Sequence, residues 1–254
     1  MVDINASYVA DPFLIFNDGN YYMYFEVLNS ETGHGDIGLA QSKNGLTWAY
    51  KKIIINESFH LSYPYVFRWE DSIYLIPESH QDLSVRLYKS INFPTEWEYL
   101  GNLLSGYHFV DPSIFRYNNM WWLFVSNTEN DILNLYFSKK LQGNWKPHPM
   151  NPIIKFDKNI ARPGGRVIHF KEKIYRIAQD DYPTYGNQVV AFEISELNEK
   201  SYVENPVSEN PILNKSGHGW NALGMHHIDL HDLGEKWIAA VDGKGAKTSH
   251  IQKN

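Results

Sequence analysis

The sequence predicts an all-β chain, a single five-bladed β-propeller of four-stranded antiparallel blades occupying residues 1–254. Three observations carry this expectation. A hairpin-like unit recurs five times at a period of about fifty residues, a spacing typical of propeller blades. A Ser-to-Trp marker follows the first three of these units. Helix signals are nearly absent.

The five units are DPFLIFNDGNYYMYFE from Asp11, YPYVFRWEDSIYLIPE from Tyr63, DPSIFRYNNMWWLFVS from Asp111, RPGGRVIHFKEKIYRIAQD from Arg162 and HHIDLHDLGEKWIAAVD from His226. Each reads as an apolar strand, a short polar turn and a second strand rich in Tyr, Trp, Ile and Val, which is the signature of a β-hairpin. The turns set the expected register. Asp18-Gly19, a favoured two-residue turn, places Asp11 opposite Glu26. Glu70-Asp71 places Tyr63 opposite Glu78, and Asn118-Asn119 places Asp111 opposite Ser126. Lys171-Glu172 pairs Gly164 with Gln179, and Leu233-Gly234 pairs His226 with Val241.

The marker Ser42-Lys-Asn-Gly-Leu-Thr-Trp48 recurs from Ser90 to Trp97, from Ser138 to Trp145 and, more loosely, from Ser195 to Tyr202. It lies between further strand-like runs such as DIGLAQS and WAYKKIII, so each unit has four strands. The fifth unit reaches Asn254 after about three strands, and the N-terminal INASYV is expected to supply its outer strand and close the ring. A β-sandwich with the same number of strands would not explain the regular period. Residues 205–215, rich in Asn, Pro and Ser, read as a loop between blades four and five.

Composition narrows the function classes. The formal net charge of −6, with no Lys/Arg run longer than two, argues against a nucleic-acid surface. There is no cysteine, so disulfides and thiolate metal sites are excluded. No apolar run approaches the roughly 20 residues that span a bilayer, and MVDINASYVADPF lacks the pattern of a signal peptide; cytoplasmic residence is the expectation. The aromatic share of 15% suits sheet cores and sugar-stacking pockets alike.

In a propeller the first strand of each blade lines the central channel, which brings strand-start residues together at one mouth. Here these are Asp11, Tyr63, Asp111, Arg162 and His226, with Glu26, Glu78, Gln179 and Asp180 across the hairpins. The Asp-Pro and Tyr-Pro pairs are explained by loop termination, because a residue before proline favours extended backbone. That account leaves several carboxylates converging on one axis unexplained, where burial and like-charge repulsion are costly unless a site uses them. Carboxyl groups with separated pKa values are what glycosidic-bond chemistry needs, one protonating the leaving oxygen and another activating the attacking group. Arg162 and Arg166 flank Pro-Gly-Gly and suit either a phosphate or carboxylate ligand or an ion pair of Arg162 with Asp180 or Asp181. His227, Asp229 and His231 alternate on one strand face and show no metal-ligand spacing, so neither metal nor cofactor is expected.

The Asp-Pro openings and the Ser-x-x-Gly-x-x-Trp marker resemble the five-bladed furanosidase clan, notably glycoside hydrolase family 43. ADPFLIF, SYPYVF with YLIPES, VDPSIF with WWLF, RPGGR, and Gln179-Asp180 with Tyr185-Gly186 are more similar to the N-terminal propeller of plant glucosamine inositolphosphorylceramide transferases and its bacterial relatives in surface-polysaccharide synthesis. The resemblance covers almost the whole chain. Together the two likenesses imply a carbohydrate-active protein acting on a glycosidic bond, and the likeness to the furanosidases implies Asp11 as general base and Asp111 as the acid that tunes and orients. The glutamate that opens blade four of the furanosidases and acts as general acid is replaced here by Ala161-Arg162-Pro163. Glu78 is the expected stand-in, giving Asp11, Asp111 and Glu78 as catalytic candidates. Glu26, Tyr63, Arg162, Arg166, Gln179, Asp180 and His226 are the substrate-binding candidates. The alternative is a non-catalytic propeller that binds a glycan or phosphorylated sugar for a partner glycan-synthesis enzyme.

Overall fold

The computed structural model describes residue 3 and residues 5–246. Blade one comprises β1 (Ala6–Asn17), β2 (Asn20–Asn29), β3 (Gly35–Ser42) and β4 (Ala49–Ile55), hydrogen-bonded in that order. Blade two repeats the plan with β5 (Ser62–Trp69), β6 (Ser72–Ser79), β7 (Ser84–Asn92) and β8 (Glu96–Ser105). Blade three has β9 (Val110–Tyr117), β10 (Met120–Ser126) and β11 (Ile132–Ser138), with its outer strand broken into β12 (Lys146–Pro147) and β13 (Ile154–Lys155). In blade four the inner strand is broken into β14 (Arg162–Pro163) and β15 (Ile168–Phe170). It pairs with β16 (Lys173–Asp180), followed by β17 (Gln188–Leu197) and a divided outer strand, β18 (Tyr202–Pro206) and β19 (Leu213–Asn214). The last repeat is a two-stranded sheet of β20 (Ile228–Asp232) and β21 (Trp237–Val241). The architecture is an all-β propeller of antiparallel blades. No helix among the described residues is long and apolar enough to cross a membrane.

The expectation of five four-stranded blades is not met. Four sheets reach four strands or more, and the fifth repeat contributes two. The third strand expected in that repeat falls partly beyond residue 246, outside the described residues. Before it, Lys244 pairs with Gly224 as an isolated bridge rather than continuing a blade. The N-terminal segment does not close the fifth sheet either. Ala6 to Ala10 pair with Asn29 to Glu26 and lengthen the first strand of blade one; Ile4 lies outside the described residues.

The turns hold the hairpins as their chemistry dictates. Asp18-Gly19, Asn118-Asn119 and Lys171-Glu172 all have positive φ at both central residues, the backbone that matches the twist of the flanking strands. The Ser-to-Trp marker is the turn from the third to the fourth strand. Ser42 Oγ accepts the N–H groups of Asn44 and Gly45, and the indole N–H groups of Trp97 and Trp145 donate to the carbonyls of Pro94 and Leu141. Below the mouth the axis is filled. The Phe13 ring packs edge-on against Tyr63 at 4.8 Å and His227 at 4.6 Å, and Tyr63 is completely buried.

Candidate functional site

The predicted registers hold near the turns of the first three hairpins and then slip by one residue, at the same place in each. Glu26 faces Ala10, Glu78 faces Ser62 and Ser126 faces Val110. The residue skipped is the one before proline: Asp11, Tyr63 or Asp111. Each has a left-handed backbone, with φ of 53°, 45° and 48°. A non-glycine residue in that region is strained, and a proline following it removes one ladder hydrogen bond. The bulge takes each residue's N–H out of the sheet. Asp11 N–H donates to Asp242 Oδ2 at 3.0 Å, Tyr63 N–H to Asp11 Oδ2 at 3.3 Å, and Asp111 N–H to Glu78 Oε2 at 3.0 Å. Each bulge is thus held by a carboxylate from the preceding sheet. Blade four joins through Arg162, whose Nε donates to Asp111 Oδ2 at 2.6 Å, and Gln179 Nε2 donates to the same oxygen at 2.8 Å. Arg162 also donates to Asn130 Oδ1 at 2.9 Å and approaches Glu78 Oε2 at 3.8 Å.

The buried acids do not share one protonation state. Burial pushes Glu26 up, the charges of Asp11 and Glu78 add to the push, and its pKa reaches about 8. Burial acts upward on Glu78 as well. There a hydrogen bond from His80 at 2.7 Å, the Arg162 guanidinium and the side chain of Asp111, whose own carboxyl burial pushes well up, prevail and hold it at about 2. Asp242 is also held at about 2, because His226 Nδ1 lies 2.7 Å away and outweighs burial. Burial disfavours the imidazolium of His226, but Asp242 and Asp11 raise it to about 10, so the ring is charged at neutral pH. Asp11 itself is raised, by burial first and by Asp242 next.

A cavity of about 790 Å³ opens over this cluster on the side of blades one and four and the last sheet. Its walls include Tyr8, Glu26, Tyr185, His226, Asp242 and Lys244. Tyr185 stands edge-on to His226 at 5.3 Å and beneath the Arg162 guanidinium at 5.2 Å, which joins the cavity to the Arg162–Asp111 pair.

The candidates thus separate. Asp11, Glu26, Glu78, Asp111, Arg162, Gln179 and His226 converge on one mouth. Three others do not offer the ligand surface expected of them. Tyr63 is sealed, its hydroxyl accepting Gly165 N–H at 2.7 Å and lying 2.8 Å from Ser113 Oγ. Arg166 lies down the axis, bound to Asp229 Oδ1 at 2.8 Å and to the Val66 carbonyl at 2.8 Å. Asp180 braces a loop by accepting from Asn159, Tyr182 N–H and Gln188. The partner of Arg162 is Asp111, not Asp180 or Asp181. Glu78 does not fit the expected proton donor, because its hydrogen bonds and the nearby Arg162 charge keep it ionised.

The sequence reading missed Asp242, His60, His80 and Tyr8. The signal for Asp242 was present, since it ends its hairpin segment as Glu26 and Glu78 end theirs. The last turn centres on Gly234-Glu235, not Leu233-Gly234, so Ile228 rather than His226 faces Val241. In blade four Arg162, not Gly164, faces Gln179. Asp11, His226 and Asp242 bring ligand-type atoms within 4.8 Å of one another, the arrangement nearest to a metal centre among the described residues. Their own bonds, His226 to Asp242 and Asp242 to the Asp11 N–H, already join them.

The model of the family described as glucosamine inositolphosphorylceramide transferase 1, N-terminal, matches residues 2–244. The chain is 38% identical over 248 residues to glucosamine inositolphosphorylceramide transferase 1 of Oryza sativa subsp. japonica, covering 94% of this chain and 33% of the relative. It is 34% identical to the Arabidopsis thaliana protein of that name, covering 94% of this chain and 32% of the relative. The chain thus spans about a third of the length of these relatives. Among solved structures, the catalytic domain of an α-L-arabinofuranosidase from Coprinopsis cinerea aligns with a TM-score of 0.73 at 12% identity, covering 97% of this chain and 88% of that one. The β-1,2-mannobiose phosphorylase of Listeria innocua aligns with a TM-score of 0.72 at 13% identity, covering 94% and 86%. These likenesses show the fold.

Proposed function

The chain belongs to the family of the N-terminal region of glucosamine inositolphosphorylceramide transferase 1, and from that premise we propose that its mouth is a carbohydrate site acting on a glycosidic bond. The chemistry is hydrolysis or glycosyl transfer in surface-polysaccharide metabolism. The chain works as one propeller domain whose two-stranded last sheet serves as a reduced fifth blade. The observation that carries the proposal is the set of buried acids gathered at one mouth, where Glu26 lines the cavity and is pushed up to about 8 beside Glu78, held at about 2. Glycosidic chemistry requires a carboxylic acid and a carboxylate together at neutral pH. Asp11, raised by burial, is the general base, and the Asp111–Arg162 pair orients the sugar. Arg162 is committed to Asp111 and Asn130, which favours a neutral sugar over a phosphorylated one.

The test is turnover of a panel of aryl furanosides and pyranosides by the wild-type chain and by Asp11→Asn, which keeps the side chain's shape. Loss of general-base help is expected to cost about 10²–10⁴-fold with the circular dichroism unchanged. Unchanged activity in the variant would remove Asp11 from the chemistry. The second reading, a glycan-binding propeller serving a partner enzyme, rests on the number of mouth acids already occupied by backbone N–H groups. It is the outcome if sugars bind and no member of the panel is turned over.

A further inference from the structure

The acids at or near the ends of the second strands fall into two kinds. Asp242 and Glu78 each hold the bulged N–H of the next blade, that of Asp11 or Asp111. Glu26 occupies the matching place in blade one, but the N–H of the next bulge, Tyr63, goes to Asp11 instead. Glu26 is therefore released from the framework, although it is just as deeply buried, at 4% exposure. Its two oxygens are not equivalent. Oε1 receives the Tyr8 hydroxyl at 3.2 Å and faces His60 Nε2 at 3.5 Å. His60 Nδ1 accepts the Gly35 N–H at 2.9 Å, so the proton of the neutral ring sits on Nε2, the nitrogen 3.5 Å from Oε1. Oε2 has no hydrogen-bond partner among the described residues, and Glu26 lines the 790 Å³ cavity. A proton on this group therefore belongs on Oε2.

We propose that Glu26 is the general acid of the site, delivering the Oε2 proton to the glycosidic oxygen, with Tyr8 and His60 as the positioning residues that fix Oε1. The assignment rests on the reading that the mouth acts on a glycosidic bond. In the step, the Oε2–H bond breaks as the proton moves to the bridging oxygen. The bond from the anomeric carbon to that oxygen breaks with its electron pair remaining on oxygen, and the leaving sugar departs as an alcohol. An acceptor hydroxyl, water in hydrolysis or a sugar hydroxyl in transfer, adds through oxygen to the anomeric carbon. Its proton passes to the base, Asp11, and a proton returned through solvent restores Glu26. The groups that face Glu26 are consistent with an acid held protonated. Asp11 and Glu78 oppose its ionisation, while Tyr8 and His226 favour it less strongly, and the pKa lies at about 8. His60 is itself pushed down by burial and stays neutral.

The experiment compares wild type with Glu26→Gln on matched methyl and 2,4-dinitrophenyl glycosides across furanosides and pyranosides. Methoxide needs a proton to leave and dinitrophenolate does not. The expected loss is about 10²–10⁴-fold on the methyl glycosides and below about tenfold on the dinitrophenyl ones. The variant also loses the alkaline limb of the methyl-glycoside pH profile. Tyr8→Phe, which removes a bond that lowers the Glu26 pKa, shifts that limb upward. Equal losses on both leaving groups, or none, overturn the assignment and leave the glycosidic reading standing. Absence of turnover by wild type on every member overturns the reading itself and the assignment with it. The carboxyl carbon of ¹³C-labelled Glu26, identified by its loss in Glu26→Gln, is expected to titrate near 8; a midpoint between about 4 and 5 overturns the assignment whatever the glycosides show.

Discussion

Replacing Asp229 by Asn tests whether the axis is held by charge, apart from anything that happens at the mouth. Asp229 is completely buried. One oxygen accepts Arg166 Nε at 2.8 Å, and the other accepts Leu14 N–H at 2.6 Å and lies 2.8 Å from His231 Nε2. Arg166 in turn reaches the Val66 carbonyl and sits over the Tyr65 ring at 4.7 Å, so one ion pair ties the first two blades, blade four and the last sheet. The substitution leaves a guanidinium without its counter-charge and turns an amide N–H₂ toward groups that are themselves donors. Breaking a buried pair from one side costs about 3–5 kcal/mol. In a chain of 254 residues each kcal/mol moves the melting midpoint by about 2–4 °C, so the expected fall is about 6–20 °C. Calorimetry or circular dichroism measures it directly. The double variant Asp229→Leu with Arg166→Met should recover most of the loss, since apolar replacement of a whole buried pair is often neutral or better. A fall below about 3 °C for Asp229→Asn would refute the idea that this pair bolts the blades together.

Two further outcomes follow from the mouth and the axis. His226 is raised from 6.5 to about 10 and Glu26 from 4.5 to about 8, so the folded state binds both protons more tightly than the unfolded chain does. Their stabilisation is complete below the unfolded values and fades as pH rises through the folded ones. Thermal midpoints should therefore drop from pH 5 to 10; Glu26→Gln flattens the slope between about 4.5 and 8 and Asp242→Asn the slope between about 6.5 and 10, while Glu78 and Asp242, held low, add none in that range. Gly165→Ala should prevent stable folding, because its φ is 147° and an added Cβ would lie 1.9 Å from the Ile228 carbonyl oxygen; a soluble variant melting within a few degrees of wild type would contradict the observed blade-four contact.

The hairpins were legible because their determinants are local. Asp18-Gly19 or Asn118-Asn119 specifies a turn, and the turn fixes the register beside it. The ends of the same strands were not legible, because the rule that a pre-proline residue is extended fails at Asp11, Tyr63 and Asp111. What overrides it is a hydrogen bond from another sheet, which no local pattern contains. The convergence of Asp11, Glu78, Asp111 and Arg162 was readable from equivalent hairpin positions. Their division of labour was not, since it depends on which N–H each carboxylate receives. Asp242 was hidden by the placement of the last turn at Leu233-Gly234, although Gly234, at φ 84°, is the first central residue of a Gly-Glu turn. His60 and His80 come from the connections before β5 and after β6, the latter a short 3-10 turn, whose position at the mouth exists only once the blades are assembled.

The strain at the three bulges bears on how any substitution at this mouth is read. Each left-handed residue costs on the order of 1–3 kcal/mol and persists only where its surroundings enforce it. Here the enforcing groups are Asp242, Asp11 and Glu78, each accepting a bulged N–H. Those carboxylates are framework as well as chemistry, so truncating one to Ala relaxes a bulge and moves the acid on it, and lost activity would not separate the two effects. Amide replacements keep an acceptor in place and do separate them. Glu26 is the exception that gives this contrast its use. No bulge depends on it, so a change at Glu26 alters the proton inventory of the cavity while the three N–H to carboxylate bonds at the bulges stay in place. An effect at Glu26 confined to poor leaving groups, set beside a general loss at Asp11, would distinguish the acid that acts from the acids that hold.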